Sequence, residues 1–249
     1  MPNSPYLDKS VQWRIRTGNV DFQEPGYQGT VQAILDAGLA TEVERLISGG
    51  KEADVYLVRY NGAPMAVKAY RLYRTSHRGG RAIKVDTMSW MAAREFEMLH
   101  RAWKGGARVP TPARRVENLL AMRYLGDEEG PAPRLKDVRV ERPQEFLDGI
   151  LGDIEKLAAV GLVHGDLSPY NVLVYHGDPW FIDFPDCLRV DRLGASPWRR
   201  LEEAANLLRR GLNAFGVYFR NDPVTLDVEP FVEGIVARLD RRRVLREPS

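Results

Sequence analysis

The chain has 249 residues, of which 44% are hydrophobic and 28% are charged, with a formal net charge of +2. This length and apolar fraction predict one or two globular domains with a substantial core, and the balanced charge does not make nucleic acid the default partner. The lone cysteine, Cys187, excludes an internal disulfide framework and a cysteine metal cluster.

The first residues carry little pattern. Residues 1–29 hold scattered Pro and Gly without periodicity, and we interpret them as an irregular arm. Apolar residues at helical spacing then predict a short helix between Thr30 and Gly38.

A glycine-bearing turn follows between two predicted strands, Val43–Ile47 and Val55–Tyr60. Glycine lets backbone N–H groups approach phosphate oxygens closely, although a Gly-Gly turn taken alone is more often structural. The turn contains Ser48 and Lys51, and Lys51 precedes Glu52 where a Walker A loop needs Ser or Thr. We therefore expect a phosphate loop of another kind.

The next predicted elements supply a candidate ion pair. Asn61-Gly62 predicts a tight hairpin to a strand at Met65–Tyr70, which contains Lys68. Apolar residues three and four apart predict an amphipathic helix over Thr87–Trp103, with Glu95 on its inward face. A partly buried lysine needs a partner, and Glu95 is our candidate for Lys68.

Other charged residues of this helix are expected to be solvated. Glu97 falls away from the inward face. Arg94 and Arg101 are likewise interpreted as surface charges.

The segment Leu162–Asp183 is the most informative part of the chain. Asp166, Asn171 and Asp183 have the spacing of phosphoryl-transfer enzymes, in which one Asp takes the acceptor's proton and the other two residues hold magnesium. Apolar runs after Asn171 and before Asp183 predict a hairpin that brings these two residues together, and paired oxygen ligands suit Mg2+. The alternative is that all three are ordinary turn and strand-end residues.

Apolar stripes predict three further helices, at Phe146–Ala159, from Pro197 with a cap at Ser196, and at Pro230–Leu239. Only 13 residues, 184–196, separate Asp183 from Pro197. An activation segment with its peptide platform will not fit there, so we expect no conventional peptide groove.

Two basic clusters have two interpretations, as contacts to RNA phosphates or as solvated surface. Base stacking is not indicated by interleaved aromatic residues, and the interpretation as solvated surface is therefore favoured. The clusters are Arg71, Arg74, Arg78, Arg81 and Lys84, and Arg238, Arg241, Arg242, Arg243 and Arg246.

Taken together, the motifs resemble the RIO family of atypical serine/threonine protein kinases, nearest the first RIO subfamily. The resemblance covers roughly residues 30–215. It is carried by Ser48–Tyr56, Val67-Lys68, Arg94–Phe96, Leu120–Val138, Leu162–Val174 and Ile182-Asp183.

The resemblance implies an α+β, bilobal protein-kinase-like fold, with a small β-rich N-lobe, a mainly helical C-lobe and no full activation segment. The implied divisions are an irregular N-terminal arm at 1–29, an N-lobe at 30–121, a hinge at 122–126, a C-lobe at 127–240 and a basic tail at 241–249. No stretch approaches about 20 apolar residues and no signal-like run opens the chain, so we expect a cytoplasmic protein without a membrane partner.

The resemblance also implies a nucleotide site that uses ATP with Mg2+, and Mn2+ as an alternative metal. Ser48, Lys51 and Lys68 would contact phosphates. Met122 would flank the adenine, and the backbone at Tyr124 and Leu125 would hydrogen-bond it.

For the chemistry, the resemblance implies that Asp166 is the catalytic base and that Asn171 and Asp183 are the metal ligands. Family precedent also allows Asp183 to accept phosphate as a transient aspartyl-phosphate. The acceptor would be a protein or the chain itself, and contact with a ribosome precursor or RNA is suggested by family analogy only.

Departures from the family pattern leave the acceptor open. Gly165 stands where first-subfamily members commonly have Ala, and Phe184-Pro185-Asp186 follows the metal Asp in place of the usual polar residues. His-Gly-Asp-Leu also occurs in aminoglycoside and choline kinases, so a small-molecule phosphotransferase is an alternative. A slow ATPase switch and a non-catalytic ATP-binding scaffold are the others.

Overall fold

The computed structural model describes residues 26–50, 52–71, 86–190 and 197–244. Five features predicted above lie wholly or largely outside these residues: the N-terminal arm, Lys51, the basic cluster from Arg71 to Lys84, the cap at Ser196 and most of the basic tail. The chain divides into two compact units. The first contains Met1–Ala92 and Val116–Leu119, and the second contains Ala93–Arg115 and Leu120–Ser249.

The first unit is built on three antiparallel strands that follow one helix. The helix is α1 (Tyr27–Asp36), and the strands are β1 (Glu42–Gly49), β2 (Ala53–Tyr60) and β3 (Ala63–Tyr70). Asn61 and Gly62 both adopt positive φ, of 50° and 83°, which matches the right-handed twist of the flanking strands and confirms the predicted hairpin. The hairpin pairs Val55 with Lys68.

A second hairpin completes the sheet. Its strands are β4 (Pro112–Val116) and β5 (Leu119–Arg123), and the strand order is β1-β2-β3-β5-β4. Before it, α2 (Asp86–Lys104) runs from the first unit into the second, close to the predicted Thr87–Trp103. Residues of α2 from Ala93 onward therefore belong with the second unit.

The second unit is mainly helical. Its long helices are α3 (Pro143–Ala159), α4 (Pro197–Tyr218) and α5 (Val228–Val244), and a short 3-10 helix covers Leu135–Asp137. Two small antiparallel pairs lie among them: β6 (Leu162–Val163) with β9 (Leu188–Arg189), and β7 (Val172–Tyr175) with β8 (Asp178–Phe181). The core contains the fully buried Met98, Leu135, Leu147, Ile150, Phe181, Phe184 and Phe215.

Three helices extend beyond their predicted bounds by more than one residue. Helix α1 begins at Tyr27, three residues before Thr30, so residues 27–29 are helical and the interpretation of 1–29 as irregular was wrong there. The other two differences have a local cause. Helix α3 begins at Pro143 because proline fits the first helical position, although the apolar stripe starts only at Phe146. Helix α5 continues past Leu239 because the arginines that follow are good helix formers without adding to the stripe. Within the described ranges, the helices are all too short or too polar to cross a lipid bilayer.

Candidate active site

A loop between β6 and β7 carries the first two predicted site residues. Asp166 is exposed at its start, and Asn171 is buried at its end. Asn171 Nδ2 donates to the backbone oxygen of Asp166 at 2.8 Å and to Asp166 Oδ2 at 3.1 Å. The N–H of Asn171 also donates to the carbonyl of Ser168 at 2.9 Å. The Asn171 side chain therefore fixes both the backbone and the carboxylate of Asp166.

The β7–β8 hairpin brings the third residue to the same place. His176 and Gly177 form its turn with positive φ, of 53° and 81°. The N–H of Ile182 donates to the carbonyl of Asn171 at 3.0 Å, one step beyond the last strand pair, Val172 with Phe181. This ladder confirms the predicted hairpin and leaves Asn171 and Asp183 at its open end.

His164, to which the sequence assigned no role, connects the loop to this hairpin. Its ring is buried, and burial lowers the pKa of His164 below its usual range. Nδ1 accepts the N–H of Asp166 at 3.3 Å, so the neutral ring carries its proton on Nε2 and donates it to the carbonyl of Ile182 at 3.0 Å. Phe184 packs edge-on against the ring, with centroids 4.9 Å apart. One imidazole thus fixes the backbone beside both Asp166 and Asp183.

Glu95 is buried as predicted, with 2% of its surface exposed. Its Oε1 accepts the N–H of Phe184 at 3.1 Å, a contact within the second unit that sequence reasoning missed. Lys68 lies on β3 of the first unit with its Nζ 4.9 Å from the centroid of the Tyr70 ring. The Lys68–Glu95 pair stays a prediction, because the two residues belong to different units.

The interpretation of Arg94 and Arg101 as surface charges was wrong. Arg94 donates from Nε to the carbonyl of Pro185 at 2.6 Å and from Nη2 to the carbonyl of Cys187 at 2.7 Å. Arg101 donates from Nε to the carbonyl of Val160 at 2.7 Å. A long arginine side chain can reach inward from the flank of a helix, which periodicity alone does not reveal.

An ion cluster around one buried carboxylate, that of Asp153, includes a residue of the hairpin. Asp153 is fully buried, and its Oδ2 accepts Arg108 Nε at 2.6 Å while its Oδ1 accepts Lys156 Nζ at 2.9 Å. Arg108 Nη1 also donates to Asp178 on the hairpin at 2.6 Å, and the Arg108 carbonyl accepts the N–H of Phe181 at 2.9 Å. The cluster therefore attaches β8 to helix α3.

In the first unit, the predicted phosphate loop lies where β1 passes into β2. Ser48 pairs with Val55 across the two strands. A Cβ added at Gly50 would lie 2.8 Å from the carbonyl oxygen of Ala53, so the tight turn requires glycine there. The absence of a side chain at Gly50 is also what lets backbone N–H groups approach a phosphate closely.

The residues predicted to contact adenine lie in the second unit. Met122 is partly buried against its core, and Tyr124 and Leu125 are buried. The carbonyl of Leu125 accepts the N–H of Ala132 at 2.9 Å. Because that carbonyl is engaged, we expect a nucleobase contact at Leu125 to use its N–H.

The donor set at the open end of the hairpin fits magnesium. Asn171 directs its amide nitrogen to Asp166, so its Oδ1 is the atom left to ligate beside the exposed carboxylate of Asp183. In the part of the chain that the structure describes, no three His, Cys, Asp or Glu side chains form a metal cluster. Magnesium does not need one, because it retains waters and takes further ligands from phosphates.

Comparisons with known proteins identify the family of the chain. The RIO domain family model matches residues 54–229. The chain is 34% identical over 187 residues to the RIO-type serine/threonine-protein kinase Rio1 of Haloferax volcanii, covering 68% of this chain and 64% of that protein. It is 33% identical over 185 residues to Rio1 of Methanocaldococcus jannaschii, covering 68% and 63%. The chain thus spans less than two thirds of the length of these relatives.

Solved structures show the same fold. The Rio2 kinase of Chaetomium thermophilum, in a complex described as ADP/Mg2+-phosphoaspartate, matches with a TM-score of 0.63 at 22% identity, over 98% of this chain and 81% of that one. This likeness confirms the α+β, kinase-like fold. With the RIO model matching residues 54–229 and archaeal Rio1 kinases more than 30% identical, the chain belongs to the RIO domain family.

Proposed function

We propose that the chain is a RIO-type serine/threonine protein kinase that transfers the γ-phosphate of ATP in a magnesium-dependent reaction. The observation that carries the proposal is the pair of hydrogen bonds from Asn171 to Asp166, combined with the Ile182-to-Asn171 bond that leads to Asp183. These contacts support the proposal because Asp166, the proposed base, and Asn171 and Asp183, the proposed metal ligands, lie at or beside the end of one hairpin. The relatives named above support the same activity, since they are named serine/threonine-protein kinases.

Each site residue has a role in this proposal. Asp166 is exposed and held by Asn171, so its carboxylate can accept the proton of an attacking hydroxyl. Asn171 Oδ1 and the Asp183 carboxylate hold the metal, which when bound neutralises charge on the phosphates. A general base of this kind typically contributes about 10²–10⁴ in rate.

The family resemblance supports further proposals for nucleotide binding. Ser48, Lys51 and Lys68 are proposed to contact phosphates. Met122 is proposed to flank the adenine, and the backbone at Tyr124 and Leu125 to hydrogen-bond it, at Leu125 through the N–H.

A transient aspartyl-phosphate on Asp183 is part of the proposal. An Asp183 carboxylate oxygen would form a bond to the γ-phosphorus as the bond from that phosphorus to the ADP oxygen breaks. Water would then hydrolyse the acyl phosphate to free phosphate and regenerate the carboxylate. The Chaetomium thermophilum protein supports this step because its structure is described as a phosphoaspartate complex.

The fate of γ-labelled phosphate tests the proposal. We expect label on wild-type protein incubated with ATP and Mg2+. Acid-stable label would indicate hydroxyl acceptors, and hydroxylamine-sensitive label would indicate the aspartyl-phosphate. Absence of label and of free phosphate would contradict the proposal and favour a small-molecule acceptor or a binding scaffold.

Other features remain our proposals on the family resemblance alone. The acceptor is proposed to be a protein or the chain itself, with ribosome-precursor or RNA contact as a further partner. Use of Mn2+ and a cytoplasmic location likewise remain predictions.

A further inference from the structure

Two successive side chains of helix α2 contact the backbone that directly follows Asp183. Glu95 Oε1 accepts the N–H of Phe184 at 3.1 Å. Arg94 donates to the carbonyls of Pro185 at 2.6 Å and of Cys187 at 2.7 Å. Three polar groups among the four residues 184–187 are therefore bound by one turn of one helix.

The two carbonyls need donors of this kind. Pro185 and Cys187 are both buried, and buried carbonyl groups are costly without a hydrogen bond. The guanidinium of Arg94 reaches both at once because its N–H groups form a rigid fork. A lysine has a single nitrogen and could not span the same two acceptors in this geometry.

The backbone on the other side of Asp183 is equally restrained. Ile182 donates its N–H to Asn171, at 3.0 Å, and its carbonyl accepts Nε2 of His164, at 3.0 Å. Asp183 itself has φ of 71°, in the left-handed region that an L-residue adopts rarely and only when its surroundings hold it there. Hydrogen bonds thus restrain the backbone on both sides of Asp183.

Close packing adds a further restraint to the same segment. A Cβ added at Gly165 would lie 1.9 Å from the carbonyl oxygen of Asp186. The loop that carries Asp166 and the segment that follows Asp183 are therefore in direct backbone contact at Gly165 and Asp186.

We propose that Arg94 is a positioning residue for Asp183. By holding Pro185 and Cys187, it keeps Asp183 in its left-handed conformation and its carboxylate beside Asn171, where a magnesium ion needs it. This inference rests on the proposed function, and it assigns to helix α2 a role in metal binding that does not require Lys68.

Two variants of α2 test the proposal. In Arg94→Ala both carbonyls lose their donor, whereas in Arg101→Ala the same helix loses an equally short bond, to Val160, away from Asp183. Arg94→Lys is added because it keeps the charge but at most one of the two bonds. Thermal unfolding of each variant checks that it folds.

The first readout needs no metal. We expect hydrogen exchange of the backbone amides over residues 184–190 to be faster in Arg94→Ala than in wild type, with Arg94→Lys intermediate and Arg101→Ala unchanged. Unchanged exchange in a folded Arg94→Ala or Arg94→Lys protein would overturn the proposal.

The second readout is the gain in ADP affinity that Mg2+ provides, measured by calorimetry. Loss of a residue that orients a metal ligand typically costs about 10–100-fold in metal affinity, so we expect this gain to fall about 10-fold in Arg94→Ala. ADP affinity without metal should change less than about 2-fold, because Arg94 is proposed to act on the metal ligand Asp183 and not on the nucleotide itself. A full gain in Arg94→Ala would refute the role of Arg94, whereas no gain in wild type would refute the proposed magnesium site itself.

Discussion

Replacing Asp153 by Ala is expected to destabilise the second unit strongly, because it removes the buried centre of an ion cluster. The Asp153 side chain has no exposed surface, and its two oxygens bind Arg108 and Lys156. Breaking a buried pair by removing one partner costs about 3–5 kcal/mol. Arg108 keeps two other partners, Asp178 and the carbonyl of Gly149, and both cations left behind are partly exposed, so the expected loss is at the lower end, about 3 kcal/mol.

Equilibrium unfolding in urea measures this loss, and a loss of that size corresponds to a fall in Tm of about 6–12 °C for a chain of this length. Asp178→Ala is the matched control because it removes the other carboxylate that binds Arg108. Asp178 is 57% exposed, so its loss should cost less than about 1 kcal/mol. Equal losses in the two variants would refute the reasoning, since burial would then not decide the strength of these pairs.

Three further substitutions have definite expected outcomes. Gly165→Ala should lower the free energy of unfolding by about 1–3 kcal/mol, because its Cβ would overlap the Asp186 carbonyl, and an unchanged urea midpoint would contradict this packing. Burial lowers the pKa of His164 below 6.5, so the unfolded state binds more protons and the His164 contribution to stability is lost as pH falls below about 6.5. The wild-type loss of stability below that pH should be smaller in His164→Gln, and identical pH profiles for the two proteins would exclude His164 as its source. Lys68→Ala should reduce turnover and raise the KM for ATP, whereas kinetics equal to wild type would remove Lys68 from the phosphate site.

Much of the local structure could be predicted from sequence because its causes are local. The Asn61-Gly62 pair specifies a tight turn by backbone conformation alone, and helix α2 follows from apolar residues at helical spacing. The β7–β8 hairpin was predicted in the same way, and it places Asn171 and Asp183 at one end.

The contacts of Arg94 could not be predicted because both partners are distant in sequence and are backbone carbonyls. Pro185 and Cys187 lie 91 and 93 residues from Arg94. Every residue has a carbonyl, so the sequence contains no signal for which ones an arginine will bind. Helical periodicity also follows the Cα positions and underestimates how far a long side chain reaches.

The ion cluster around Asp153 could not be predicted from sequence for a related reason. Asp153 lies among the apolar residues of α3, where a single charged residue is usually interpreted as solvated. Its partner Arg108 comes from a loop 45 residues earlier. Only the tertiary fold shows that the Arg108 guanidinium reaches the buried carboxylate of Asp153.

The central claim is that Asp166, Asn171 and Asp183 form a magnesium-dependent phosphoryl-transfer site. The most direct test measures the total γ-phosphate transferred to protein and water, for wild type, Asp166→Asn and Asp183→Ala side by side. We expect Asp183→Ala to have no magnesium-dependent turnover, and Asp166→Asn to lose transfer while its nucleotide affinity stays close to that of wild type. Turnover by Asp183→Ala at the wild-type rate would contradict the assignment of the site.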